Sequence, residues 1–191
     1  MGLFSKLFTT KKAVVKNSFV KMPIFHETLE FPLPDDWSIT PALRTVDEGT
    51  FLLEFVGVGQ SSEVWKDKLT VQGFNNANND VELNVRKLLA MMQKEMASLN
   101  ESAFYSEELF SETIVSRQKI AVIMGLKALP DDEMVSQFGL YMLLEGKHDI
   151  YIVQRAWKGK PNQDGFLVPK AEVNGWLEDF KQITLSETDA E

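Results

Sequence analysis

Between residues 81 and 99 the apolar positions Val81, Val85, Leu88, Leu89, Met92, Met96 and Leu99 recur at steps of three and four, with one adjacent pair. Such spacing lays them along one stripe and predicts a helix that buries a single face. The polar run Asn75-Asn76-Ala77-Asn78-Asn79-Asp80 ahead of it is read as loop and cap. A second amphipathic helix is predicted over Pro169 to Phe180, where Val173, Trp176, Leu177 and Phe180 share a side and proline stands near the start.

The rest of the pattern is strand-like. Ala13 to Met22 alternates loosely as an edge strand, and His26 to Pro32 sets Leu29 and Phe31 against Thr28, Glu30 and Pro32. Trp37 to Val46, the turn Asp47-Glu48-Gly49 and Thr50 to Val58 predict a hairpin. Ser61 and Ser62 are N-cap residues for a short helix over Glu63 to Lys68, which runs into a strand at Leu69 to Gln72. Further strands are expected over Phe104 to Val115, Lys119 to Leu129, Gln137 to Leu144 and Asp149 to Lys158. Within Ile120 to Leu126 both alternating sets are apolar, the mark of a central strand covered on both faces. Strands joined by hairpin-length links imply an antiparallel sheet, and two one-faced helices imply that each covers one side of it. The expected class is therefore α+β, an αβα sandwich with a mainly antiparallel central sheet.

Charge divides the chain into a basic amphipathic leader (1–12), one α+β domain (13–185) and a polar, frayed acidic tail (186–191). Lys6, Lys11, Lys12, Lys16 and Lys21 fall before any acid, so the remainder holds all 28 acidic residues and is more negative than the −8 of the whole chain. A body this acidic repels phosphates and argues against nucleic-acid binding. Leu3, Phe4, Leu7 and Phe8 share one face of the leader, a pattern that fits a leader frayed or packed on its own domain first, and weak peripheral membrane contact or docking on a partner second. Its apolar stretch is broken by Ser5 and Lys6, unlike a secretory signal. The chain has no cysteine, which removes thiolate chemistry and suits a reducing, cytoplasmic setting.

The search for chemistry returns no catalytic, cofactor-binding or metal-ligating set. The two histidines, His26 and His148, lie at expected turns without metal-ligand spacing, apart from Asp149 beside His148. Gly57-Val58-Gly59-Gln60-Ser61 has the wrong order for a nucleophile elbow, and Gly146-Lys147 lacks the rest of a phosphate loop. More telling are Glu54, Gln72, Glu145, Gln154 and Arg155, polar residues that interrupt strands otherwise seeking the core. A buried charge needs a partner. Arg155 is therefore expected to pair with Glu145 or Glu54 across neighbouring strands, as a structural network or as the polar floor of a shallow groove. Trp65 is expected either to pin the short helix onto the sheet edge or to stand exposed as a partner's anchor.

Three strings, FPLPDDW at 31–37, WKDKLTVQGF at 65–74 and EGKHDIYIVQRAW at 145–157, together with the order of elements, resemble the Mog1/PsbP/DcrB-like superfamily, especially its uncharacterised bacterial members. The resemblance implies an αβα sandwich and a protein-binding role. In that superfamily the nuclear-transport branch engages a small GTPase, the photosystem branch docks on a membrane complex, and some bacterial relatives look like chaperones for secreted effectors. It implies no catalytic motif, and no residue role carries across. The expectation is a non-catalytic, cytoplasmic protein-binding or chaperone-like adaptor. A membrane-associated interaction protein and an enzyme with a dispersed polar site at Glu54, Gln72 and Arg155 are the alternatives.

Overall fold

The computed structural model describes residues 17–75, 77, 83–115, 117–161 and 168–187. The leader with Leu3, Phe4, Leu7 and Phe8, residues 13–16 of the expected first strand, Val81 and residues 188–191 lie outside the described residues. In chain order the elements are β1 (Asn17–Ile24), β2 (Glu27–Pro34), β3 (Leu43–Val46), β4 (Thr50–Val56), β5 (Asp67–Phe74), α1 (Val85–Leu99), β6 (Phe104–Ile114), β7 (Arg117–Leu126), β8 (Ser136–Glu145), β9 (Ile150–Gly159), α2 (Lys170–Lys181) and β10 (Thr184–Glu187).

Seven strands form the main sheet in the order β3-β4-β5-β9-β8-β7-β6, with every pairing antiparallel. Because side chains alternate across a strand, the register sorts them onto two faces. Leu53, Val71, Val153 and Met142 fall in one cross-strand row, and Leu52, Gln72, Ile152 and Leu143 in the next. The first row belongs to a core closed by Trp176, Leu177 and Phe180 of α2 and by Leu29, Phe31 and Leu33 of β2. The second face meets Val85, Leu88 and Leu89 of α1 over Ile120, Val122, Tyr141, Leu143 and Ile152. The two helices cover opposite faces, as their apolar stripes predict. Each fully buried side chain such as Phe180 contributes about 1.5–3 kcal/mol.

Four local features differ from the sequence expectation. First, β7 is covered on both faces but sits one strand from the edge; β9 is the central strand. Second, Glu63 to Lys68 is not helical. Ser61 and Val64 close a single turn: the Ser61 N–H donates to the Val64 carbonyl and the Val64 N–H to Ser61 Oγ, both at 3.1 Å; Gln60 Oε1 accepts from the Lys66 N–H at 2.6 Å, and the chain enters β5 at Asp67. Third, α1 is capped by Asn84, whose side chain accepts from the Lys87 N–H at 2.9 Å, so the cap lies beyond the asparagine run. Fourth, Ser186 and Glu187 are not frayed. They complete β10, which pairs with β2 in a second sheet ordered β1-β2-β10. A four-residue strand with only Leu185 apolar carries too little pattern to be read from sequence.

Candidate functional site

Arg155 points to the α2 side of β9, where it is 4% exposed. Its Nη2 donates to Asp67 Oδ2 at 2.7 Å, and Asp67 Oδ1 accepts from Gln60 Nε2 at 2.9 Å. The guanidinium carbon lies 4.4 Å from the Trp37 ring centre, 4.9 Å from Trp176 and 5.7 Å from Trp157. Burial pulls the guanidinium below its ordinary pKa, while Asp67, then Glu172 and Asp36, push back. The arrangement ties β5, β9, α2 and the segment after β2 to one buried cation. The expected partners Glu54 and Glu145 are both on the other face. Glu54 pairs in register with Thr70 and Thr70 with Gln154, whereas Arg155 is opposite Leu69. Glu145 aligns with Ile150, at the far end of β9 from Arg155. The residue that completes the pair, Asp67, stands at a strand start two positions after Trp65, inside the stretch that the sequence predicts as a short helix.

The opposite face carries a polar row. Glu54 accepts from Lys68 Nζ at 2.5 Å, and that ammonium sits 4.8 Å from the Trp65 ring centre, so Trp65 is half-buried over an ion pair. Thr70 follows between Glu54 and Gln154, and Gln154 Nε2 donates to the Tyr141 hydroxyl at 2.9 Å. Gln72 lies half-buried in the neighbouring row, between Leu52 and Ile152. Glu145 is spent on local structure: one oxygen accepts from the Val85 N–H at 3.3 Å, at the head of α1, and the other from the Gln118 N–H at 2.7 Å. The five candidates Glu54, Trp65, Gln72, Glu145 and Arg155 thus fall in three separate places.

A further buried cluster was missed. Asp149, fully buried, accepts from the His26 N–H at 3.1 Å, lies 3.1 Å from His26 Nδ1 and takes the Tyr151 hydroxyl within 2.9 Å. The rings of His26 and His148 lie against each other at a tilt of 49° with centres 5.1 Å apart, which brings together what read as two separate turn histidines. Glu27, 1% exposed, accepts from the Lys147 N–H at 2.7 Å and presses against Gly146, where a Cβ would overlap its carboxylate. The signal was present in Asp149 and Tyr151, two residues apart and so on the same side of β9. Among the described residues no three of His, Cys, Asp and Glu are grouped to hold a metal ion.

A cleft of about 470 Å³ opens between the β6–β7 hairpin and the stretch Lys181 to Leu185. Lys119 forms its floor, 8% exposed, donating to the α2-terminal carbonyl of Lys181 at 2.5 Å and to that of Ile183 at 3.0 Å. Its pKa is lowered by burial, against the pull of Glu112. Ile114 and Val115 are exposed at the mouth, the latter at a left-handed φ of 49°.

No protein-family model matches the chain, and no curated protein sequence does. Solved structures do. The Saccharomyces cerevisiae Ran-binding protein Mog1p superposes with a TM-score of 0.54 at 12% identity, over 89% of this chain and 95% of that one. A point mutant of Mog1 gives 0.57 at 13%, over 91% and 97%. The chain has the Mog1/PsbP-like fold. The solution structure of cyanobacterial PsbP (CyanoP) from Synechocystis agrees, with a TM-score of 0.53 at 8% identity over 86% of this chain and 95% of that one. In this Mog1/PsbP-like chain the string EGKHDIYIVQRAW turns out to hold most of the polar packing: Glu145 at the α1 head, Gly146 against Glu27, Asp149 on His26, and Arg155 on Asp67.

Proposed function

We propose that this Mog1/PsbP-like chain is a non-catalytic protein-binding module, an adaptor or chaperone-like protein of the cytoplasm, and that it receives its partner in the cleft beside β10. The observation that carries this reading is that the charged groups on the cleft floor are already satisfied by the protein's own backbone. Lys119 is held by two carbonyls and Glu145 by two N–H groups. Groups held this way give a shaped, pre-organised surface for recognition. The fold is shared with the Ran-binding protein Mog1p, which supports a protein as the partner class.

The test is a photo-crosslinking amino acid placed at Thr184, exposed in the cleft, or at Met91, 61% exposed on α1, in the cells that make the protein. A discrete adduct with one other protein is expected from Thr184 and not from Met91. Adducts from neither position, or indiscriminate adducts from both, would overturn the reading.

A further inference from the structure

The turns that join β1 to β2 and β8 to β9 belong to different sheets, and carboxylates clamp them together. The His26 N–H donates to Asp149 Oδ2 at 3.1 Å, and in return the Lys147 N–H donates to Glu27 Oε1 at 2.7 Å. Each turn thereby carries its histidine to the same place. His26 follows Phe25, which holds a left-handed φ of 55°, a conformation that bulky residues seldom adopt. The two imidazole centres end 5.1 Å apart.

His26 is prepared as a ligand. Asp149 lies 3.1 Å from its Nδ1, is closed to solvent and also takes the Tyr151 hydroxyl, so the carboxylate is fixed in place. A carboxylate acceptor keeps the proton on Nδ1 and leaves the lone pair on Nε2. The His26 side chain is 45% exposed, so ions in solution reach the ring. Carboxylates stand behind metal-bound imidazoles in just this way.

The spacing to His148 fits a shared ion. With metal–nitrogen bonds of about 2.0–2.1 Å and ring centres about 1.1 Å behind the nitrogens, two imidazoles at the tetrahedral angle have centres about 5.2 Å apart. The observed separation matches. Among the described residues no third His, Cys, Asp or Glu joins the pair, so the remaining positions fall to water. Glu187, opposite Glu27 in register, is engaged by Lys147 Nζ at 2.7 Å. Charge admits a cation, because Asp149, Glu27 and Glu187 outnumber Lys147 and Arg117 around the two turns. Imidazole suits Cu²⁺, Ni²⁺ and Zn²⁺, whereas Ca²⁺ and Mg²⁺ require oxygen ligands.

We infer that His26 and His148 together bind one divalent late transition-metal ion, with Cu²⁺ the tightest of them. The ion bridges the β1–β2 and β8–β9 turns and fastens the three-stranded sheet to the seven-stranded one. This site is independent of the protein-binding reading above.

The test is a Cu²⁺ titration of the full chain, with calorimetry reading the affinity and pulsed electron paramagnetic resonance counting the imidazole ligands. One Cu²⁺ per chain is expected to bind saturably below the millimolar range, to show two imidazole nitrogens and to resist displacement by excess Ca²⁺. His26→Ala and His148→Ala, both at turn positions and checked for fold by circular dichroism, should each weaken binding at least tenfold and leave one imidazole signal. No saturable binding below the millimolar range, a spectrum without imidazole, displacement by Ca²⁺, or an affinity unchanged in either variant would overturn the inference.

Discussion

Arg155 and Asp67 meet at 2.7 Å across the β9–β5 pair, with 5% of the arginine side chain and 32% of the aspartate exposed to solvent. The asymmetry decides which partner matters more. Arg155 is almost sealed from water, and among the described residues its Nε and Nη1 have no hydrogen-bond partner, so it depends on Asp67 and on the rings of Trp37, Trp157 and Trp176. Asp67→Ala leaves a buried cation with ring faces and the weaker fields of Glu172 and Asp36, and is expected to cost about 3 kcal/mol, the low end for breaking a buried pair because Asp67 is partly hydrated. Arg155→Met keeps the stem packed between the rings and removes the charge, so it should cost less than Asp67→Ala. Urea unfolding of the two variants checks the order; a larger loss for Arg155→Met would show that ring packing outweighs the ion pair.

Glu145 joins the head of α1 to the start of β7 through one carboxylate. Glu145→Ala leaves two amides unsatisfied at about 1–3 kcal/mol each if they stay dry, less where water reaches them. Hydrogen exchange should accelerate first at Val85 and Gln118. Asn84→Ala removes the neighbouring cap and should cost about 1 kcal/mol. Because both residues act on the same helix end, their double variant should depart from additivity.

Gly146 and Glu27 form a lock with no spare volume: a Cβ at 146 would lie inside the Glu27 carboxylate. Gly146→Ala is expected to destabilise by about 1–3 kcal/mol through overpacking. Glu27→Ala clears the space, so adding Gly146→Ala to it should cost well under half as much. A thermal-denaturation cycle reads the coupling; equal cost in both backgrounds would place the strain elsewhere.

How far the sequence foretold these relationships follows from what periodicity records. The stripe in α1, the one in α2 and the double apolar run in β7 give faces, and the opposed helices follow from them. Register is not recorded, and register put Glu54 and Arg155 on opposite sides of the sheet. Arg155, Glu145 and Glu54 take their partners from a strand start (Asp67), a backbone amide (Val85) and an adjacent row (Lys68). β10 was invisible because an edge strand of Thr-Leu-Ser-Glu needs little apolar pattern to pair.

All three tyrosines of the chain have raised pKa values, for two different reasons. For Tyr141 and Tyr151 the main cause is burial; Gln154 opposes it at Tyr141, and Asp149 and Glu27 reinforce it at Tyr151. For Tyr105 the main cause is a hydrogen bond to Glu107 near the surface. A group whose folded pKa lies above its unfolded value of 10.0 contributes stability that is complete below pH 10 and is lost as pH rises toward the folded value. The unfolded chain releases these protons first, so alkali drives unfolding. Tyrosinate absorbance should therefore rise in two stages: a reversible step from Tyr105 with the circular dichroism intact, then a cooperative jump from Tyr141 and Tyr151 that coincides with loss of secondary structure. Tyr141→Phe should halve the jump without altering the first step. Three independent ionisations near pH 10 with the fold unchanged would mean that Tyr141 and Tyr151 reach water in the native state, and that neither sheet face is sealed at those positions.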